Sequence, residues 1–522
     1  MSSVAIFMRT VGVAFNVYVS SRVGAEGMGL LSLTGTVYGF GVTLATSGVN
    51  LAVTRLVSGA LPYENESYFD GKADRRVRKI MKNAFSYCLF FSLLASVLLY
   101  FFSHPIAILA LRDARTESSL KIMSFTLVPI ALSSALNGYF NAVRRVYKSV
   151  IVQVCEQGAK IGVVSSLLIL IAPRGLEYAC IAVVAGGAVS EALCVAISAT
   201  LYLFDRKLHK RLENGKSDCI KGFFCQTGVK GEKEPCSVAS IALPVAVSAY
   251  VRSALVTVEH LAIPWGLKKS GASAQASLAS YGVLHGMVFP ILLFPSAVSS
   301  AFASLLIPEL SAAFEQKDTG RIQRIASRVF YLCLVFSIGI GGIFTCFAHE
   351  IGTFIYGNEG AAEYIRLLAP LIPLMYLDTA VDSMLKGLGE QLYTMRVNIV
   401  DSFLSVVLVL TLLPLMGIRG YVITIFLMEL LNTSLSILRL LRVTGIRPKV
   451  FAWVVVPLGC ILGATVITRF AFSSSLYYSF LIRIGTAKAL SFLEIGSCAT
   501  VYVMLWRLVA RIKSKVKFSA TA

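Results

Sequence analysis

The chain has 522 residues, 56% of them hydrophobic and only 15% charged, with a formal net charge of +20 and a mean hydropathy of +0.75. Soluble globular domains carry about 25% charged residues, so composition excludes a water-soluble fold and points to a polytopic membrane protein. The basic surplus gathers in short segments between apolar runs, a pattern of membrane topology that argues against a nucleic-acid partner.

A hydrocarbon core of about 30 Å is crossed by about 20 apolar residues in a helix. By that rule about fourteen helical spans are predicted, near residues 4–20, 32–58, 83–103, 118–138, 147–171, 177–203, 238–262, 278–306, 327–347, 364–386, 393–415, 420–440, 450–471 and 487–509. The fold class is therefore all-α. Prolines at 129, 244, 290, 295, 370, 373 and 414 lie in or near these spans and predict local breaks where neighbouring helices cover the freed carbonyls. The first span carries Arg9 and no small-residue cleavage site, unlike a signal peptide.

Basic segments at Lys72–Lys82, Arg144–Lys148, Arg206–Lys233, Lys317–Arg328, Arg439–Lys449 and Arg507–Lys517 fall on one side of this topology, and the acidic His349–Glu363 on the other. The bias places both termini in the cytoplasm. The basic linker 204–236 separates an N-terminal lobe of six spans (1–203) from a C-terminal lobe of six (237–443), followed by two further spans and a basic tail (444–522). Gly35 and Tyr38 correspond to Gly286 and Phe289, and Leu136-Asn-Gly138 to Leu385-Lys-Gly387. Parallel repeats of this kind set the substrate path between the two halves of many transporters.

The span after Arg145 is unusually polar in its first half, with Gln153, Glu156, Gln157 and Lys160 before the apolar Ser165–Ile171. An ionised group at mid-membrane costs at least about 2.5–3.5 kcal/mol, so this face should meet a watery, protein-lined interior. Glu156 and Lys160, at i and i+4, can neutralise each other. Four basic residues lie inside spans: Arg9, Arg55, Lys160 and Arg252. Arg9, Gly12 and Asn16 share one helical face, as do Arg252 and Glu259. One reading is an electropositive cavity for an anionic headgroup, since the guanidinium fork matches phosphate. The other is structural pairing with Glu156 and Glu259, or snorkelling to an interface.

Acids inside spans are Glu156, Glu191, Glu259, Asp378, Asp382, Asp401, Glu429 and Glu494. Asp378 and Asp382 form a like-charge i, i+4 pair that a proton or cation would relieve. With the stripe Asn398, Asp401, Ser402 and Ser405, and with Glu259, they are candidates for Na⁺ or H⁺ coupling. Helix–helix hydrogen bonding is the plainer role for each. Most of the eleven cysteines fall in apolar segments. Cys219, Cys225 and Cys236 lack zinc-type spacing and a nearby His, and the five histidines form no metal pattern. No glycine-rich phosphate loop is present, so neither a cofactor, an ATPase nor another enzyme is expected.

Several stretches resemble the stage V sporulation protein B family: Gly24-Ala-Glu-Gly-Met-Gly-Leu30, Val42–Leu56, Gln153-Val-Cys-Glu-Gln-Gly-Ala-Lys160, Tyr281–Pro290 with Phe294-Pro295, Leu306-Ile-Pro-Glu-Leu310, Leu385-Lys-Gly-Leu-Gly389 and Gly417-Ile-Arg-Gly-Tyr421. That family belongs to the multidrug/oligosaccharidyl-lipid/polysaccharide flippase superfamily, with lipid II flippases, O-antigen flippases and MATE drug exporters. The resemblance implies two six-helix lobes arranged as a V, alternating access, and transfer of undecaprenyl-diphosphate-linked saccharides from the cytoplasmic to the outer leaflet of a bacterial plasma membrane. It also implies a place in cell-wall or spore-cortex synthesis, alongside cell-wall synthesis proteins. Arg9 in Phe7-Met-Arg-Thr-Val-Gly12 is similar in position to a cavity arginine of the lipid II branch. Glu259-His260 and the cysteine-bearing loop 204–236 depart from the family pattern. The expected headgroup set is thus Arg9, Arg55, Arg252 and Lys160, with Glu156 and Asn16 beside them. A cation-coupled multidrug antiporter would need an acidic cavity, which unpaired arginines oppose. A non-transporting envelope scaffold would leave the mid-membrane charges unexplained.

Overall fold

The computed structural model describes residues 2–60, 71–216, 238–357, 359–446, 448–473 and 487–519, and among them it contains helices and no strand. Eleven of the helical segments are long and apolar enough to cross a membrane, making the chain a multi-pass membrane protein. The major helices are α1 (Ser2–Thr46), α2 (Val49–Ala60), α3 (Gly71–Phe101), α4 (Thr116–Ala142), α5 (Val146–Ile171), α6 (Leu176–Lys216), α7 (Val238–Lys269) and α8 (Ala274–Leu293). They continue as α9 (Ser296–Glu315), α10 (Thr319–Cys346), α11 (Ala348–Tyr356), α12 (Glu359–Gly387), α13 (Gln391–Met416), α14 (Ile418–Thr444), α15 (Phe451–Phe472) and α16 (Ala487–Ser519).

Two expected spans are divided where the backbone demands it. The second span, expected over 32–58, turns at Ser47-Gly48 between α1 and α2, with Gly48 at φ +77°. The span expected over 278–306 is two helices, α8 and α9, interrupted at Phe294-Pro295. Pro295 has no N–H to continue the ladder. The hydroxyl of Tyr376 on α12 repairs this break by donating to the Leu292 carbonyl at 2.6 Å while meeting the Ser296 backbone N–H. The basic segment expected as a loop before 83 is already helical from Gly71, and α6 runs on to Lys216. The rest of the linker, with Cys219, Cys225 and Cys236, lies outside the described residues.

Packing divides the chain into two compact units: Arg22–Ala262, and Ser2–Ser21 with Ile263–Ala522. This partition differs from the expected lobes by placing the first arm of α1 with the second unit and residues 238–262 with the first. Gly24, at φ 74° and ψ 179°, breaks α1 next to the boundary. A side chain is strained at that φ, and glycine is not.

The first unit is knit by small residues that let helices approach closely. Ala52, Val53 and Val57 of α2, Ala84 and Cys88 of α3, and Ala131 and Ala135 of α4 are fully buried in one cluster. Gly186 of α6 lies against Val164 of α5, where a methyl would come within 3.0 Å of the Val164 Cα. In the second unit α10 presents Gly339, Gly341 and Gly342 to Tyr502, to Ala369 and Pro373, and to Ile461, respectively. α10 is thereby held against α12, α15 and α16.

Candidate functional site

In the first unit the α5–α6 hairpin sets the polar geometry. The contact of Val164 with Gly186 in antiparallel helices brings residue 156 opposite 191–194. Accordingly the Glu156 carboxyl reaches Glu191 and the Cys194 thiol, and the Ser133 hydroxyl lies 3.4 Å from the Cys194 sulfur. Tyr38 hydrogen-bonds Thr126 at 2.6 Å, and both glutamates act on it electrostatically. The expected Glu156–Lys160 ion pair is absent among the described residues, and the Lys160 charge bears on Glu191 instead. A shared helix face made the pair conceivable, but α6 supplies the nearer carboxyl.

Arg55 and Arg252 also belong to the first unit, and both are exposed. Arg9 and Asn16 lie in the first arm of α1, which packs in the second unit. Arg9 is exposed and close enough to Tyr376 to act on it electrostatically. Asn16 Oδ1 is buried without a hydrogen-bond partner. Glu259 is half-buried on α7. The structural alternative, pairing of these basic residues with Glu156 and Glu259, is not realised. Among the described residues none of Arg9, Arg55, Lys160 and Arg252 is in an ion pair within 4 Å.

Arginines and lysines toward helix ends behave in the opposite way. Arg115 is clamped by Asp113 and Glu26, and the hydrogen bonds it donates to Asp113 hold its guanidinium above the ordinary range. Arg439 binds both oxygens of Glu390, at 2.7 and 2.9 Å. Arg469 meets Glu350 at 3.1 Å. Asp205, 1% exposed, accepts from Arg145 at 2.6 Å and from buried Lys148.

The second unit gathers acids from three helices. Glu429 on α14 lies within electrostatic reach of Asp378 on α12 and Asp401 on α13, with no basic residue among the groups acting on it. Asn432 donates to Asp378 at 3.2 Å, and Thr433 to Glu429 at 3.4 Å. Asn398 turns its amide back to the Thr394 carbonyl at 2.8 Å, and Ser402 bonds the Asn398 carbonyl at 2.9 Å. Asp382, one turn from Asp378, is not among the groups acting on Glu429. Glu191, Glu429 and Asn432 thus complete clusters that the candidate residues only began. Their signal in the sequence was a lone polar group in an apolar run, with no spacing to tie it to a partner helix. His285, in the π-helical segment Gly282–Val288, sits 2.6 Å from the Tyr421 hydroxyl and stacks on Tyr281. Among the described residues no group of His, Cys, Asp and Glu is arranged to hold a metal ion.

Two family models match successive parts of the chain: polysaccharide biosynthesis protein over residues 1–227 and MatE over residues 269–411. Stage V sporulation protein B of Bacillus subtilis (strain 168) is 26% identical over 510 residues, covering 97% of this chain and 93% of that protein. The uncharacterized membrane protein YabM of the same organism is 20% identical over 80% of this chain and 74% of its own length. Among solved structures, the lipid II flippase MurJ in an inward closed conformation matches with a TM-score of 0.65, 13% identity and 98% coverage of both chains. An inward-facing MATE-family multidrug resistance transporter matches with a TM-score of 0.62 and 12% identity, over 85% of this chain and 98% of its own. The chain thus shares the helical fold of these solved transporters, with the polysaccharide biosynthesis and MatE models matching successive parts of it and one relative matching along nearly its whole length.

Proposed function

We propose that the chain is a flippase for polyprenyl-diphosphate-linked saccharides, moving the headgroup from the cytoplasmic to the outer leaflet of a bacterial plasma membrane with both termini in the cytoplasm. The observation that carries this reading is a set of cations in apolar helices, Arg9, Arg55, Arg252 and Lys160, that have no carboxylate partner within 4 Å among the described residues. A guanidinium in a low-dielectric span is costly unless an anion or water meets it. A diphosphate is the complementary ligand, because its oxygens accept paired N–H donors in the fork geometry of arginine. The polysaccharide biosynthesis match and the sporulation relative support a saccharide cargo in envelope or spore-cortex synthesis.

In this reading Arg55 and Arg252 of the first unit, with Lys160 and Glu156, and Arg9 of the second, with Asn16, are the candidate contacts for the diphosphate. The acids of the second unit, Asp378 and Asp401 with Glu429, serve Na⁺ or H⁺ coupling, and Asn398, Asp382 and Glu259 are the further coupling candidates. The acidic group and the MatE match favour a second reading, a cation-coupled multidrug antiporter. The unpaired arginines weigh against a cationic cargo.

Leaflet-resolved translocation of fluorescent undecaprenyl-diphosphate saccharide in proteoliposomes decides between them. The flippase reading expects protein-dependent transfer under an imposed Na⁺, H⁺ or voltage gradient. Folded protein that transfers none of this lipid but exports cationic dyes would overturn it.

A further inference from the structure

Away from these polar groups, α3 carries a second ordered pattern. Arg78, Lys82, Ser86, Leu89, Leu93 and Val97 recur at three- and four-residue spacing and are all exposed on one side of the helix. The stripe changes from cationic to hydroxylic to apolar, with Leu89, Leu93 and Val97 44%, 47% and 50% exposed. At its basic end lies a cavity of about 420 Å³. Arg78 and Lys82 form its rim, and Met81, Phe85, Leu132 and Tyr202 its walls. The walls are stiff, since Tyr202 packs edge-to-face against Phe85 and Tyr139 at ring separations of 6.2 and 4.9 Å. All of these residues belong to the first unit.

We propose that this cavity is a binding site for an anionic phospholipid of the surrounding leaflet. The headgroup phosphate meets Arg78 and Lys82, the glycerol region meets Ser86, and an acyl chain runs down Leu89, Leu93 and Val97. The dimensions fit a single leaflet: from Ser86, at the glycerol level, to Val97 the helix rises about 16 Å at 1.5 Å per residue, against about 15 Å for half of a 30 Å hydrocarbon core. A soluble phosphate would use the rim alone and leave the apolar stripe without a role. Charge complementarity at the membrane surface selects an anionic over a zwitterionic headgroup. The positive-inside bias assigns this end of α3 to the cytoplasmic leaflet.

The test is native mass spectrometry of the full chain titrated with phosphatidylglycerol, with phosphatidylethanolamine of the same chains, and with glycerol 3-phosphate. Wild type is expected to prefer phosphatidylglycerol and to bind glycerol 3-phosphate far more weakly. The pair Arg78→Gln with Lys82→Gln should weaken phosphatidylglycerol binding by about 25-fold, taking roughly fivefold per basic residue at an anionic surface. The equal-charge control Arg324→Gln with Arg328→Gln should keep the wild-type preference, and Lys82→Arg, which preserves the charge, should retain most of it. The proposal falls if the Arg78/Lys82 pair binds phosphatidylglycerol as wild type does, if the control loses as much, or if the two phospholipids or the soluble phosphate bind alike.

Discussion

Arg252 has no carboxylate partner among the described residues, so truncating it to alanine removes a cation without orphaning an anion. Breaking a buried ion pair by removing one partner costs about 3–5 kcal/mol of stability. Removing an exposed, unpaired side chain costs within about 0.5 kcal/mol. Arg252→Ala should therefore leave the thermal transition in detergent unchanged. In the proposed flippase role its effect falls on substrate: losing charge-assisted hydrogen bonds to a diphosphate is worth about 1.5–3 kcal/mol, which is about 10- to 150-fold in apparent affinity. Arg252→Lys keeps the charge but loses the fork, and should recover part of that loss. The assay is translocation of undecaprenyl-diphosphate saccharide across a concentration series, read beside the melting temperature of the same preparations. Full transport by Arg252→Ala refutes the headgroup role. A large fall in melting temperature refutes the unpaired state on which the reasoning rests.

Tyr376→Phe should destabilise the protein by about 1–3 kcal/mol, because the hydroxyl alone repairs the Leu292 carbonyl beside the Pro295 break; denaturant titration reads this directly. Gly48→Ala should cost roughly 2–5 kcal/mol, combining left-handed strain with overpacking, since the new methyl would lie 2.5 Å from the Ala242 carbonyl oxygen. Gly459→Ala on α15, with nothing within 4 Å of the new methyl, should instead stabilise the helix by about 0.4–1 kcal/mol in the same titration. Glu429→Gln removes one titratable carboxyl from the group with Asp378 and Asp401, and transport should then lose its response to an imposed Na⁺ or H⁺ gradient. An unchanged response would exclude this group from coupling.

The spans were legible because their length and apolarity reflect the hydrocarbon thickness, a constraint that acts on each segment alone. Thus α5, α13 and α14 begin and end within a few residues of expectation. What a single span cannot encode is its neighbour. Glu156 and Lys160 share a face of α5, and that spacing suggested a pair. The close approach of Gly186 to Val164 decided the matter by bringing Glu191 alongside. Asp378 and Asp382 likewise marked one face of α12, whereas Glu429 and Asn432 came from α14 to complete the group around Asp378. In both units the polar residue was visible and its partner was not, because partnership is fixed by small residues that set helix separation rather than by charge spacing. The same logic explains the arginines. Helix-end arginines such as Arg115 and Arg439 meet carboxylates supplied by adjoining turns and helices, and their charge is balanced within the protein. Arg9, Arg55 and Arg252 receive none among the described residues, and that imbalance is the reason the proposed headgroup role falls to them.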